Sequence, residues 1–193
     1  MRLILSFLLA CCLAGGAYAA DYGVGPAEPQ VEPQALEMAG DPFFDEVRLG
    51  VYAHDPWSPE TGSADLNIEV LFGKPWGSDA DWWLPRPHLG TTINFAGKTS
   101  TAYAGASWQI PVTDWAFIEG TFGGSVNNGN EGREDPDMNP LGCKVLFRES
   151  ASVGFNLTEQ WRIMATVEHH SNAGLCDFNR GLTNAGLRVG YKF

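Results

Sequence analysis

Near the C-terminus, the stretch Glu168-His169-His170-Ser171-Asn172-Ala173-Gly174-Leu175 sets a histidine two residues from a serine. An imidazole that can take the proton of a nearby hydroxyl is the base–nucleophile combination of acyl transfer. A spacing of two places both side chains on one face if the backbone is a strand. The preceding residues predict that strand: Trp161, Ile163, Ala165 and Val167 alternate with Arg162, Met164, Thr166 and Glu168. Continued outward, the apolar series takes in His169 and Ser171, while Glu168 and His170 fall on the other face. An oxyanion formed at Ser171 would need amide donors, and Asn172 with the backbone around Ala173-Gly174 stands next to it. The alternative is two polar residues at a strand end running into a turn, since short patterns recur by chance.

A single strand positions nothing alone, so its partners matter. From Phe43 onward alternation is nearly continuous. It predicts strands near 46–54, 65–72, 88–96, 101–110, 115–124, 144–157, 161–171 and 184–193. The fifth has the weakest pattern. Eight strands of this length suit an antiparallel up-and-down transmembrane β-barrel over residues 43–193, all-β in class. A soluble sandwich would give the same alternation with the faces exchanged, so other features must choose between them.

Three do. The chain ends on Phe193 with Tyr191 two before it, as bacterial outer-membrane barrels end. The connections 111–114 and 158–160 are short, whereas those after the first, fifth and seventh strands are longer and share one end; only Gly73–Pro87 is long at the other. Trp76, Trp82, Trp83, Trp108, Trp115 and Trp161 gather at the short-turn end and Trp57 stands alone opposite, as in an interfacial belt. With the apolar faces outward, Arg162, Arg188 and Glu69 fill the interior, and eight strands leave too little lumen for a porin.

The N-terminus reads as an export signal over residues 1–19, with Arg2, an apolar run and Ala17-Tyr18-Ala19 as cleavage site. Leu9-Ala10-Cys11 imitates a lipoprotein box, but little apolar sequence precedes it. Residues 20–42, rich in Pro and Glu, read as a flexible periplasmic lead-in. Cys143 and Cys176 remain after cleavage and, in an oxidising compartment, predict one disulfide between neighbouring outer loops. The net charge of −11, which becomes −12 when Arg2 leaves, argues against a nucleic-acid partner. The acidic segment Glu131–Asp137 lacks the ligand spacing of an EF-hand and reads as a solvated loop, so no metal or other cofactor is expected.

His169 and Ser171 then lie at the outer end of the seventh strand, facing lipid. In a Gram-negative outer membrane that leaflet is lipopolysaccharide, so the expected partner is the ester-bearing lipid A. Monomer and homodimer are both compatible with the sequence. The stretch EHHSNAGL, the following Asn179-Arg180-Gly181 and the ending GLRVGYKF resemble the outer-membrane lipid A 3-O-deacylases of PagL type. The likeness is densest over 141–193 and reaches back loosely to RLGVYAHD at Arg48–Asp55. It implies an eight-stranded barrel with Ser171 as nucleophile, His169 as base, Asn172 as oxyanion donor and a released 3-hydroxy fatty acid.

In one position the chain departs from that pattern: Thr183 stands where the family carries its orienting glutamate, twelve residues after the serine. A hydroxyl can accept a hydrogen bond from the imidazole but brings no charge. If Leu157 pairs with Trp161, Glu149 on the sixth strand faces His169 and could orient it instead; otherwise it is an interfacial glutamate with its head in water. Without its acid the chain could also be a catalytically impaired barrel, or a structural or adhesive one.

Overall fold

The alternation read above becomes a closed ladder. A computed structural model describes residues 43–75 and 81–193. The predicted signal peptide, the lead-in and Trp76 lie outside the described residues. The strands are β1 (Phe44–His54), β2 (Ser63–Phe72), β3 (Arg86–Asn94), β4 (Thr101–Pro111), β5 (Ala116–Asn127), β6 (Val145–Asn156), β7 (Trp161–Ser171) and β8 (Leu182–Lys192). Each pairs antiparallel with the next, and β8 closes on β1. Among the described residues no helix is long and apolar enough to cross a membrane.

Burial is inverted relative to a soluble protein. Leu49, Val51 and Leu187 are 53%, 60% and 59% exposed, whereas Arg48, Glu69 and Arg188 are 0% exposed. The outer surface can therefore meet only hydrocarbon without cost, and the bore is polar. Arg48 donates from Nε to Glu46 at 2.8 Å and from Nη1 to Glu69 at 3.0 Å and Glu119 at 2.6 Å. Arg188 donates to Glu69 at 2.8 Å and Arg148 to Glu168 at 2.9 Å. The guanidinium of Arg148 also lies 3.6 Å over the ring of Tyr103. Every one of these charges is paired, which is the condition for burying it.

Register follows from the turns. Thr113 and Thr158 each accept two backbone N–H bonds from the residues after them, which closes the short connections before β5 and β7. The second turn places Leu157 against Trp161, and the ladder then sets Phe147 opposite Ser171 and Glu149 opposite His169. The weak pattern of β5 has a steric reason. Gly105 and Gly123 face each other, and a Cβ on Gly123 would come 2.7 Å from the Cα of Gly105. Two strands that approach this closely cannot both carry side chains there.

At the end with the longer connections, Leu141, Leu146 and Leu182 form a small apolar plug. It explains why β8 begins two residues before the sequence suggests. Leu182 turns into the plug, and Thr183 is thereby drawn into the ladder opposite His169.

Candidate active site

His169 and Ser171 project from the last turn-free residues of β7 onto the apolar face, both partly exposed, while Glu168 and His170 point into the bore. On either side of His169 stand Glu149 of β6 and Thr183 of β8, so three polar side chains form a row across neighbouring strands. His169 Nδ1 is 2.7 Å from Thr183 Oγ1. With Nδ1–H donating to that hydroxyl, the neutral ring keeps the Nε2 lone pair for a proton. Glu149 lies opposite His169, where the register predicts it, without a hydrogen bond to the ring. Among the described residues neither the Glu149 carboxylate nor Ser171 Oγ makes a hydrogen bond.

Thr183 is itself fixed from below. Its N–H donates to Asp55 Oδ1 at 3.2 Å, and Asp55 N–H donates to Asn184 Oδ1 at 3.1 Å. The Asn139 amide donates both to Asp55 Oδ2 and, at 3.2 Å, to the carbonyl of Gly181. The backbone N–H of Asn139 donates in turn to Glu60 Oε1 at 2.7 Å. Burial would push the Glu60 carboxyl up. Hydrogen bonds from His54, from the Asn139 N–H and from Thr99 outweigh it, so the group is held below the ordinary carboxylate range. Glu60 stays a carboxylate and ties the first, third and fifth connections together beneath the site. Asp55, Glu60 and Asn139 carry no sequence signal of this role, since the contacts that join the connections span 39 residues or more.

Gly181 closes the site. It has φ of +76°, and a Cβ there would lie 2.8 Å from His169 Cε1 and 3.2 Å from Nε2. Glycine is thus required twice, for its left-handed backbone and for the space the imidazole occupies. Gly181→Ala should displace the ring and lower kcat about 100-fold, the scale for a misplacement near 1 Å. Circular dichroism of the variant should show an intact barrel, and a kcat within threefold of wild type would contradict this account.

Two predicted oxyanion donors require correction. Asn172 is buried, and its amide donates to the carbonyls of Leu141 at 2.8 Å and Phe178 at 2.5 Å. Its N–H donates to Asn179 Oδ1 at 2.9 Å, and its Oδ1 accepts the N–H of Gly174 at 2.8 Å. Asn172 therefore laces two loops together, and neither its side chain nor the Gly174 amide is free for a substrate. The N–H of Ala173 has no hydrogen-bond partner among the described residues. Ala173 has φ of +54°, an uncommon setting for a residue with a Cβ, two residues from Ser171.

The predicted disulfide joins Cys143 to Cys176 and links the connection before β6 to the one before β8. Just below the polar row, small outward residues leave a trough of about 780 Å³. Ile118, Gly120, Ala151, Ala165, Val167 and Ala185 line it. The acidic segment 131–137 does not join a set of three His, Cys, Asp or Glu able to hold a metal among the described residues.

The family model described as lipid A 3-O-deacylase (PagL) matches residues 45–192. The crystal structure of the outer-membrane enzyme PagL aligns with a TM-score of 0.60 at 18% identity, covering 77% of this chain and 99% of that one. A de novo designed transmembrane β-barrel aligns with a TM-score of 0.51 at 11% identity, covering 79% and 97%. No curated protein matches significantly. At these identities the two structures speak for the fold alone.

Proposed function

The chain belongs to the lipid A 3-O-deacylase (PagL) family, and on that premise we propose that it hydrolyses the ester-linked 3-hydroxyacyl chain of lipid A in the outer membrane, using Ser171 and His169. The observation that carries this reading is a base and a nucleophile side by side on a hydrocarbon-facing surface, at the end with the longer loops. A water-soluble substrate has no access there, whereas the ester of a membrane lipid does. The trough beneath the row is apolar and continuous with the bilayer, so it suits the acyl chain.

In this scheme Ser171 Oγ attacks the ester carbonyl as its proton passes to His169 Nε2. The tetrahedral oxyanion takes the Ala173 N–H. Collapse breaks the ester C–O bond, and the imidazolium returns the proton to the departing sugar oxygen. Water then enters by the same base, releases a 3-hydroxy fatty acid and restores Ser171. Thr183 keeps the proton on Nδ1 throughout, so that Nε2 is always the working nitrogen.

The second reading is a barrel of impaired or no catalysis, with a structural or lipid-binding role. It is favoured by one observation, the uncharged Thr183 against Nδ1. Expression in a Gram-negative host whose lipid A is fully acylated separates the two. The first reading expects lipid A lighter by one 3-hydroxyacyl group in the mass spectrum, with the matching free 3-hydroxy fatty acid in the same extract. Unchanged lipid A from membranes that contain the folded barrel would remove it.

A further inference from the structure

Across β4–β8 the outward residues are alanine, glycine, valine, isoleucine, leucine or aromatic, with four exceptions: Glu149, His169, Ser171 and Thr183. These four are not scattered. Glu149 is opposite His169, His169 is opposite Thr183, and Ser171 is the next outward residue on the same strand. Three of them already have work in the scheme above. The fourth is the costly one, because a carboxylate on a lipid-facing surface loses solvation. On its other flank Glu149 meets only Phe122 of β5, whose ring stacks on that of Phe147. Among the described residues it therefore has no cation, no amide and no hydroxyl of its own to offset that loss.

From this placement we infer that Glu149 is a positioning residue for the reaction, supplying through space the negative charge that stabilises the His169 imidazolium. The inference rests on the function proposed above. The two tasks that one acid performs in a Ser-His-Asp triad are divided here between two strands. Thr183 fixes the tautomer from β8, and Glu149 supplies the charge from β6. Directly opposed side chains on neighbouring strands have Cβ atoms about 4.5–5.5 Å apart, so a carboxylate can lie alongside the ring without a hydrogen bond. With hydrocarbon on one side, a charge at that range is poorly screened. Other carboxylates on the neighbouring residues are worse placed. Glu168 is turned into the bore and paired with Arg148, and Asp55 is spent on Thr183 N–H and Asn139.

A charge-rescue cycle tests this with purified protein in detergent and lipid A as substrate. Glu149→Gln should lower kcat about 10- to 100-fold with KM little changed, less than the ~10⁴-fold that follows loss of tautomer control. In the Thr183→Glu background, where a carboxylate touches Nδ1 directly, the same Glu149→Gln change should cost less than threefold. A packing role for Glu149 would not be rescued from another strand. Removing a charge from the lipid face should not impair folding, and Glu149→Leu provides a second neutral variant of the kind that face accepts elsewhere. Three outcomes overturn the inference: undiminished kcat in both neutral variants, an effect confined to KM, or an equal loss in the Thr183→Glu background. If wild type removes no acyl chain the parent reading falls, whereas an active wild type matched by Glu149→Gln removes this inference alone.

Discussion

Ser171→Ala should lower lipid A deacylation about 10⁴-fold or more while leaving the barrel folded, and His169→Ala should do nearly as much damage. Both side chains lie on the outer face and contribute nothing to the bore, so the substitutions leave the ladder and the buried ion pairs intact and remove only the His169–Thr183 contact between β7 and β8. The double variant should be no slower than the poorer single one. A base with no hydroxyl to activate, and a hydroxyl with no base, are equally idle, and the losses of residues that act as one unit do not add. What survives would reflect the Ala173 amide and substrate binding. Initial rates of fatty-acid release with the four proteins give the comparison. Losses that multiply in the double variant would mean that His169 and Ser171 act separately, which the proposed mechanism forbids.

The second large effect is on stability. Arg48→Met should destabilise the barrel by about 3–5 kcal/mol, the cost of leaving buried carboxylates without their cation. Arg48 bridges Glu46, Glu69 and Glu119 at once, and all four side chains are fully buried. Arg188 still reaches Glu69 and Glu119, and Arg162 still reaches Glu46, which is why the barrel should weaken and not collapse. Adding Glu119→Gln should recover part of the loss, because it removes one of the stranded charges. Urea unfolding of protein refolded into lipid vesicles, followed by tryptophan fluorescence, measures both. A change below 1 kcal/mol for Arg48→Met would mean that water or a neighbour replaces the guanidinium.

Local alternation carried most of the fold into view. A period of two needs only neighbouring residues, and the short Thr113 and Thr158 turns set register by simple counting, so Glu149 opposite His169 was legible from Leu157 and Trp161. The disulfide was legible for the same reason, because strand order puts its two loops side by side. Long-range polar contacts were not. Asn172 has the residue type of an oxyanion donor and the position of one. Only the carbonyls of Leu141, brought in from the connection before β6, and of Phe178, folded back within its own connection, show that its amide is taken. Likewise nothing in the order of residues announces that Asp55 will hold Thr183, 128 positions away. The hydroxyl at Thr183 looked like a missing part; it lies 2.7 Å from His169 Nδ1, where the proposed mechanism asks for an acceptor.

The bore closed by guanidinium–carboxylate pairs has a consequence for traffic. A wall that admits nothing confines every exchange to the rind of the cylinder, and lipid arrives and departs by sliding within its own monolayer. Under the proposed reaction each turnover replaces one many-tailed amphiphile by two slimmer ones at the same spot. The patch of monolayer around the protein would then soften first, and the altered lipid would spread from there at the speed of lateral diffusion.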